Sequence, residues 1–266
     1  MNGHVVAVDV GNSTVGLATQ LDNRLESHHI SLAVPDWVLE CQRWVNELIG
    51  SAESERRKLQ WMIASVRTSA SDALIQHLTR SSESEVHQIS RVDVPIEVDV
   101  DHPERVGIDR LLAAIAATRI LRPPFAVVDA GSAITVDWVN GGGHFCGGAI
   151  LPGLSLQAAA LYQGTDALPE LALDTEPNLR LPGRNTDEAI RAGILFGTVG
   201  AIESLVKRYA DADDGILPTI ALTGGQADLI APLMVQNHRL LPNLVCRGLL
   251  ELPRSKRYVE SESGIH

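Results

Sequence analysis

The feature that most constrains this chain is a strand, aspartate, turn and strand unit that occurs twice. The first copy is VVAVDVGNSTVG, from Val5 to Gly16, and the second is FAVVDAGSAITVD, from Phe125 to Asp137. β-branched apolar runs are typical of strands that are covered on both faces, and Gly, Asn and Ser are turn formers. Each copy therefore predicts a hairpin with an acidic, flexible tip.

The alignment of the two copies indicates what the tips do. Asp9 aligns with Asp129 and Gly11 with Gly131, 120 residues later. Backbone N–H groups of such a turn suit phosphoryl oxygens, and the carboxylate reaches Mg²⁺ directly or through water. One copy alone is equally compatible with an ordinary edge hairpin. Two copies favour a phosphate site between two similar halves that face each other across a cleft.

The charge balance argues against a nucleic-acid partner. The 266 residues carry 22 Lys and Arg against 33 Asp and Glu, a net charge of −11. Nucleic-acid binding usually shows a basic stripe. The two basic clusters, residues 56–58 and 254–257, lie next to acids. Both are interpreted as solvated faces, and no nucleic acid is expected.

No membrane span and no secretory signal are expected from the sequence. No apolar run approaches the roughly 20 residues that a membrane span needs. The N-terminus leads directly into a strand without a basic region or cleavage site, which predicts a cytoplasmic protein without membrane contact. Cys41, Cys146 and Cys246 are far apart and lack metal-ligand spacing, so reduced, buried thiols are expected.

The first half alternates strands and helices after an antiparallel start, which predicts a mixed sheet of the ribonuclease-H type. A polar loop at 99–107 precedes an alanine-rich helix from Ile108 to Ala117. Arg122-Pro123-Pro124 ends that helix and marks a domain boundary. The predicted domains are 1–122 and 123–253, followed by a polar tail at 254–266. The other predicted elements are strands at 14–20, 25–32, 59–66 and 86–94, helices at 36–49 and 69–79, and a charged linker at 53–58.

The second half repeats this pattern after its hairpin. A long irregular loop at 168–183 precedes a helix that Thr186 can cap and that continues to about Tyr209. Three glycines within this helix, 193, 197 and 200, indicate the close approach of another backbone. A Gly-Gly turn at 224–225 can receive the ribose and base of a nucleotide. The remaining predicted elements are strands at 145–151 and 216–222 and a helix at 155–161.

Five motifs together resemble the type III pantothenate kinases, within the superfamily of acetate and sugar kinases, Hsp70 and actin. The resemblance covers nearly the whole chain, and its most specific part is HPERVGIDR, from His102 to Arg110. It implies an α/β protein of two ribonuclease-H-like domains facing across a central cleft. The other motifs are DVGNST at 9–14, DAGSA at 129–133, GGAILPG at 147–153 and GRNT at 183–186, and the closing LLPNLVCRGL at 240–249 also fits.

The resemblance implies a reaction and the residues that perform it. ATP with Mg²⁺ phosphorylates pantothenate, with Asp109 accepting the proton of the terminal hydroxyl. Asp9 serves the Mg²⁺ directly or through water, and Asp129 binds a monovalent cation, K⁺ or NH₄⁺. The family works as a homodimer with substrate sites near the subunit interface. The implied ATP site comprises Asp9, Val10, Gly11, Asn12, Ser13, Thr14, Val15, Gly16 and Ser132, and the implied pantothenate site Val100, Gly107, Ile108, Asp109, Arg110 and Thr186.

Two positions depart from the family pattern. Val100 stands where the family usually has a tyrosine that contacts pantothenate, and Ser132 stands where threonine is usual. Val100 is also compatible with a kinase of the same fold that acts on another small hydroxyl compound. A non-catalytic regulatory accessory factor of the same fold is a further alternative, but it would not need Asp9, Asp109 and Asp129 together. Without the repeat, Asp109 and Arg110 would be an ordinary solvated helix N-terminus.

Overall fold

A computed structural model describes residues 4–49, 59–80, 84–173, 180–213 and 215–252 and contains two five-stranded sheets. In the first sheet the order is β3-β2-β1-β4-β5. The first three strands are antiparallel, and β4 and β5 run parallel to β1. The strands are β1 (Val5–Val10), β2 (Thr14–Leu21), β3 (Arg24–Ser31), β4 (Leu59–Ser65) and β5 (Ser84–Gln88).

The second sheet repeats the topology of the first. Its order is β10-β9-β6-β7-β8, again with three antiparallel strands followed by two that run parallel to the first. The predicted internal duplication and the mixed sheet of ribonuclease-H type are therefore confirmed. The strands are β6 (Phe125–Ala130), β7 (Ala133–Val139), β8 (Phe145–Pro152), β9 (Thr219–Thr223) and β10 (His238–Leu240).

The helices divide into three layers around the two sheets. α1 and α2 pack on the outer face of the first sheet, and α4, α5 and α6 pack on the outer face of the second. α3 and α7 lie between the sheets and share a middle core with both. The helices are α1 (Trp37–Ile49), α2 (Thr68–Leu78), α3 (Ile108–Thr118), α4 (Leu154–Gln163), α5 (Thr186–Ala212), α6 (Ala227–Ile230) and α7 (Leu244–Glu251).

The alternation of side chains along β1 and β6 decides where the two repeated aspartates point. Successive residues of a strand face opposite sides of the sheet. The even-numbered residues of both strands pack in the outer cores, whereas Val5, Ala7, Phe125 and Val127 pack in the middle core. Asp9 and Asp129 share the parity of this second set, so both carboxylates face the layer between the sheets.

The contact between α3 and α7 joins the halves. A Cβ atom on Gly248 would lie 2.8 Å from the carbonyl carbon of Leu112, so only glycine admits this approach of the two backbones. α7 also packs on β1, β2 and β4, although it belongs to the second half of the chain. The boundary at 122/123 separates the strands of the two sheets, and as a domain limit it stays a prediction.

Some element limits differ from the prediction. The strand expected at 86–94 ends at Gln88, because the Asp93 carboxylate accepts hydrogen bonds from the backbone and hydroxyl of Ser90 and closes a 3₁₀ turn. The last long strand starts at Thr219 instead of Ile216. The linker at 53–58 and the tail at 254–266 lie outside the described residues, as does part of the loop at 168–183. All three cysteines are free, and Cys146 is only partly buried.

The N-terminus of α5 was also predicted wrongly in one detail. Asn185 is the N-cap residue, and its side chain accepts a 2.8 Å hydrogen bond from the backbone N–H of Glu188. Thr186 is the first residue of the helix. By length and mean hydropathy alone α5 could cross a membrane, a test that core helices also pass. Its buried side chains pack in the outer core of the second sheet.

Candidate active site

The tips of the two repeated hairpins meet. In the first tip the Gly11 N–H donates to the Thr14 carbonyl over 2.9 Å, and in the second the Gly131 N–H donates to the Ala133 carbonyl over 3.1 Å. The Ser132 hydroxyl donates to the Ser13 hydroxyl over 2.9 Å. This bond joins residues 119 positions apart. The predicted arrangement, two similar turns facing one another, is therefore present.

Behind these tips lies a cluster of carboxylates that influence one another. Burial raises the pKa of Asp9 to about 8, and the nearby negative charges of Asp109 and Asp129 contribute. Burial also raises the pKa of Asp129 to about 7, with contributions from Asp109 and Asp137. The structure thus brings together the three acids that were singled out from the sequence. Burial and neighbouring acids make the ionised forms of Asp9 and Asp129 unfavourable, and a bound cation would stabilise them.

Asp109 lies in the first turn of α3, two residues after the N-cap residue Gly107. One of its carboxylate oxygens accepts a 2.9 Å hydrogen bond from the backbone N–H of Arg110. Burial raises the pKa of Asp109, while the backbone and the guanidinium of Arg110 oppose that rise. The side chain is therefore partly buried among other acids, unlike that of a solvated helix N-terminus.

Arg110 is held by a residue that the sequence analysis did not single out. Its Nε donates to Oδ1 of Asp137 over 2.9 Å, and its Nη2 donates to the same oxygen. The guanidinium carbon lies 5.4 Å from the centre of the Phe145 ring. Asp137 is 1% exposed and occupies an apolar strand. An acid in the middle of such a strand is a signal that could have identified it.

The Gly-Gly turn at 224–225 lies against the second hairpin. Gly224 has φ +98°, and a Cβ there would overlap the backbone of Ala130, so this position requires glycine. The N–H of Gln226 donates to the Ala130 carbonyl over 2.9 Å. The turn that was predicted to receive a nucleotide is therefore next to the acidic turn that was predicted to face its phosphates.

Only part of the first hairpin can reach a ligand with its side chains. Asn12, Ser13 and Thr14 are exposed, whereas Val10 and Val15 are buried in the outer core. Gly16 is buried too and lies opposite Asp9 in the sheet. The guanidinium of Arg67, a second residue missed from the sequence, donates to the Asn12 carbonyl over 2.7 Å.

The residues expected around pantothenate are divided between the core and the site. Ile108 is buried in the middle core, so its side chain is unavailable to a ligand. Val100 is partly buried, and its Cγ1 lies 3.3 Å from where a Cβ of Gly147 would be. The N–H of the preceding Asp99 donates to the Phe145 carbonyl over 2.8 Å. Val100 and Arg110 thus contact the same strand, β8.

Thr186 lies elsewhere. It is exposed at the start of α5 and lines a groove against α4 with a volume of about 1010 Å³. Tyr209, near the other end of α5, contacts Trp138, the neighbour of Asp137, with ring centres 6.1 Å apart. An α-helix rises about 1.5 Å per residue, so Thr186 and Tyr209 are roughly 34 Å apart along the axis. One chain therefore does not bring Thr186 to Arg110.

The acids fit a metal that is bound together with a ligand. Within the described ranges, no three His, Cys, Asp or Glu side chains converge closely enough to hold a metal by themselves. Mg²⁺ in phosphate-transfer sites is usually held by one or two carboxylates together with phosphate oxygens and water. Asp9 and Asp129 meet that description, because burial and neighbouring acids make each carboxylate favour a cation.

Comparison with known proteins gives consistent matches. Residues 5–208 match the family model for type III pantothenate kinase. A protein of that name from Rhodopirellula baltica is 36% identical over 271 residues, which cover 93% of this chain and 97% of that protein. A Campylobacter jejuni structure described as a Baf family transcriptional activator has a TM-score of 0.57 at 20% identity, covering 93% and 96% of the two chains.

A second solved structure supports the same fold. Component A of (R)-2-hydroxyglutaryl-CoA dehydratase from Acidaminococcus fermentans has a TM-score of 0.53 at 12% identity, covering 94% of this chain and 96% of that one. At such low identity the structural likeness concerns the fold alone. With the repeated sheets, it confirms the predicted α/β fold of two similar ribonuclease-H-like sheets.

Proposed function

The chain belongs to the type III pantothenate kinase family, and we propose that it transfers the terminal phosphoryl group of ATP to pantothenate. The product is 4′-phosphopantothenate, in the first step of coenzyme A biosynthesis. The observation that carries the proposal is the cluster of Asp9, Asp109 and Asp129 behind two joined hairpin tips. Phosphoryl transfer depends on positioning and on charge neutralisation, and this cluster supplies sites for both.

The first hairpin and the Gly-Gly turn provide the nucleotide site. Exposed N–H and hydroxyl groups at Asn12, Ser13 and Thr14 receive phosphoryl oxygens, and Ser132 contributes a hydroxyl from the opposite tip. Because Ser13 and Ser132 bond to each other, a bound phosphate would replace that bond. Asp9 would hold Mg²⁺, which neutralises charge on the phosphates when bound.

Asp109 and Arg110 provide the acceptor site. Arg110 binds a polar group of pantothenate, and Asp109 accepts the proton of the terminal hydroxyl. A carboxylate whose pKa is raised by burial is a better proton acceptor than an ordinary one, which suits this role. Gly107 leaves room for the Asp109 carboxylate, because a Cβ atom at position 107 would collide with that carboxylate.

A monovalent cation, K⁺ or NH₄⁺, is assigned to Asp129. Burial and the charges of Asp109 and Asp137 make the ionised form of Asp129 unfavourable without a cation. Thr135 lies directly opposite Asp129 on β7 and carries a neutral hydroxyl group. An ion of single charge suits one carboxylate and neutral oxygens.

A homodimer in the cytoplasm completes the proposal. A Cβ on Gly193, Gly197 or Gly200 would meet nothing within 4 Å, so no described part of the same chain explains these glycines. They lie on an exposed face of α5 beside Phe196, which is 36% exposed. A second copy packed on this face would give Thr186 a role. Within one chain Thr186 is far from Arg110, so it would act at the acceptor site of the partner.

An ADP-release assay tests the proposed function. The protein is incubated with ATP, Mg²⁺ and K⁺, with pantothenate or a panel of small hydroxyl compounds as the acceptor. ADP release that depends on pantothenate supports the proposal. Release with another acceptor only would favour the different substrate that Val100 leaves open. Nucleotide binding without release for any acceptor would favour the regulatory factor.

A further inference from the structure

Asp137 is a buried carboxylate to which the proposed reaction gives no role. It is 1% exposed and lies in β7 between apolar residues of the two cores. Burying a charge is costly unless the charge is paired, and a buried ion pair stabilises a fold less well than apolar side chains of similar volume. A buried acid at such a position therefore points to a task other than stability.

Asp137 forms an ion pair with Arg110. Its Oδ1 accepts hydrogen bonds from both Nε and Nη2 of Arg110. The centre of the Phe145 ring lies 5.4 Å from the guanidinium carbon. Among the described residues, Oδ2 has no hydrogen-bond partner. The Thr135 hydroxyl is close enough to lower the pKa of Asp137 but lacks hydrogen-bond geometry with that oxygen.

The exposure of the two side chains differs in a way that separates their roles. The Arg110 side chain is 16% exposed and that of Asp137 1%, so a ligand can reach the Arg110 side chain but not the Asp137 carboxylate. Arginine has five N–H groups, of which two bond to Asp137. The carboxylate and the ring together fix the plane of the guanidinium, and three N–H groups remain for other partners.

The Arg110 guanidinium has an alternative ion-pair partner in the site, Asp109. Asp109 is the preceding residue in the chain, and its carboxylate accepts a hydrogen bond from the backbone N–H of Arg110. Arg110 and Asp109 are close enough for the guanidinium to lower the pKa of Asp109. Without Asp137, the guanidinium would be free to pair with Asp109 and would block the proposed proton acceptor.

We propose that Asp137 is a positioning residue, which holds the Arg110 guanidinium toward the acceptor substrate and keeps it from pairing with Asp109. Asp137 itself does not touch the substrate. The inference rests on the proposed function, because it takes Arg110 to be a contact of pantothenate. It predicts that Asp137 acts on substrate affinity entirely through Arg110.

Asp137→Asn tests this role with little change of shape. We expect the KM for pantothenate to rise by about 10- to 100-fold, as for the loss of one charge-assisted hydrogen bond, and the KM for ATP to change by less than about twofold. Asp213→Asn is the matched control, because that carboxylate accepts a hydrogen bond from Trp138, the neighbour of Asp137, over 3.2 Å. The control should retain the wild-type KM for pantothenate.

A double-mutant cycle separates positioning from a merely structural role. Once Arg110→Met has removed the guanidinium, adding Asp137→Asn should raise the KM for pantothenate no further. Independent, multiplying effects would overturn the inference. If Asp137→Asn does not fold, Arg110→Met with Asp137→Leu replaces both charges by apolar groups. The KM of that pair should equal that of Arg110→Met, and a clearly higher KM would overturn the inference.

Failure of the inference and failure of the proposed function give different results. A wild-type protein without pantothenate turnover contradicts the proposed function and, with it, the role of Asp137. Wild-type turnover together with an unchanged KM in folded Asp137→Asn contradicts the role of Asp137 alone.

Discussion

Replacing Asp9 by Asn should stabilise the metal-free protein, and the gain should grow with pH. Asp9 has a pKa of about 8 in the folded protein against 3.8 for the free group, because it is buried near other acids. The folded state therefore holds this proton more tightly than the unfolded chain does. The resulting stability is fully present below about pH 3.8 and is lost as the pH rises toward 8.

The size of the effect follows from the same shift. One pKa unit corresponds to about 1.36 kcal/mol, so ionisation of Asp9 lowers the free energy of unfolding by about 2 to 3 kcal/mol between pH 6 and pH 8. Asn cannot ionise and escapes this loss. For a chain of this length, the melting temperature of Asp9→Asn relative to wild type should rise by roughly 5 °C over the same interval.

Thermal unfolding followed by circular dichroism, with a chelator present, measures this difference at pH 6, 7 and 8. Asp72→Asn, on the exposed side of α2, is the matched control and should parallel the wild type. Mg²⁺ with ATP should then stabilise the wild type more than Asp9→Asn, because the ligand binds the ionised carboxylate. Parallel melting curves for wild type and Asp9→Asn across this range would refute the reasoning.

Three further predictions address the ion, the assembly and the substrate contact. Turnover should occur in K⁺ or NH₄⁺ with little in Na⁺ alone, and Asp129→Ala should be inactive in every salt; equal wild-type rates in all three salts would exclude the ion site. Gly193→Leu should be a monomer in light scattering and should lose pantothenate turnover together with the dimer. A wild-type protein that is monomeric and still phosphorylates pantothenate would exclude the proposed dimer. Val100→Tyr should increase the affinity for pantothenate by at most about 2- to 13-fold without changing the maximal rate. If the wild type is inactive and Val100→Tyr is active, the result would favour the regulatory factor.

The repeated hairpins could be predicted because their signal is local. A continuous β-branched apolar run that ends in an aspartate and turn formers identifies a buried strand, and two copies of it identify two similar sheets. Asp9 and Asp129 occupy equivalent positions in the two copies, and the packing of the strands shows that both face the middle core. The acidic pair and the topology thus follow from short stretches of sequence, without knowledge of contacts between distant parts of the chain.

The pairing of Arg110 with Asp137 could not be predicted in this way. The two residues are 27 positions apart and meet only because α3 packs against β7 between the sheets. The position of α7 on the first sheet is likewise a tertiary contact, made possible by Gly248. At the start of α5, two adjacent residues, Asn185 and Thr186, could each cap the helix, and only the backbone geometry decides for Asn185.

Direct detection of the phosphorylated product tests the central claim. Wild-type protein and Asp109→Asn are incubated with ATP, Mg²⁺, K⁺ and pantothenate, 4′-phosphopantothenate is measured by mass spectrometry, and ATP affinity is measured by calorimetry. We expect one phosphopantothenate for each ADP from the wild type. Asp109→Asn should be about 10²- to 10⁴-fold slower, with ATP affinity nearly unchanged. An Asp109→Asn variant that turns over at the wild-type rate, or a wild type that binds ATP and forms no phosphopantothenate, would contradict the claim.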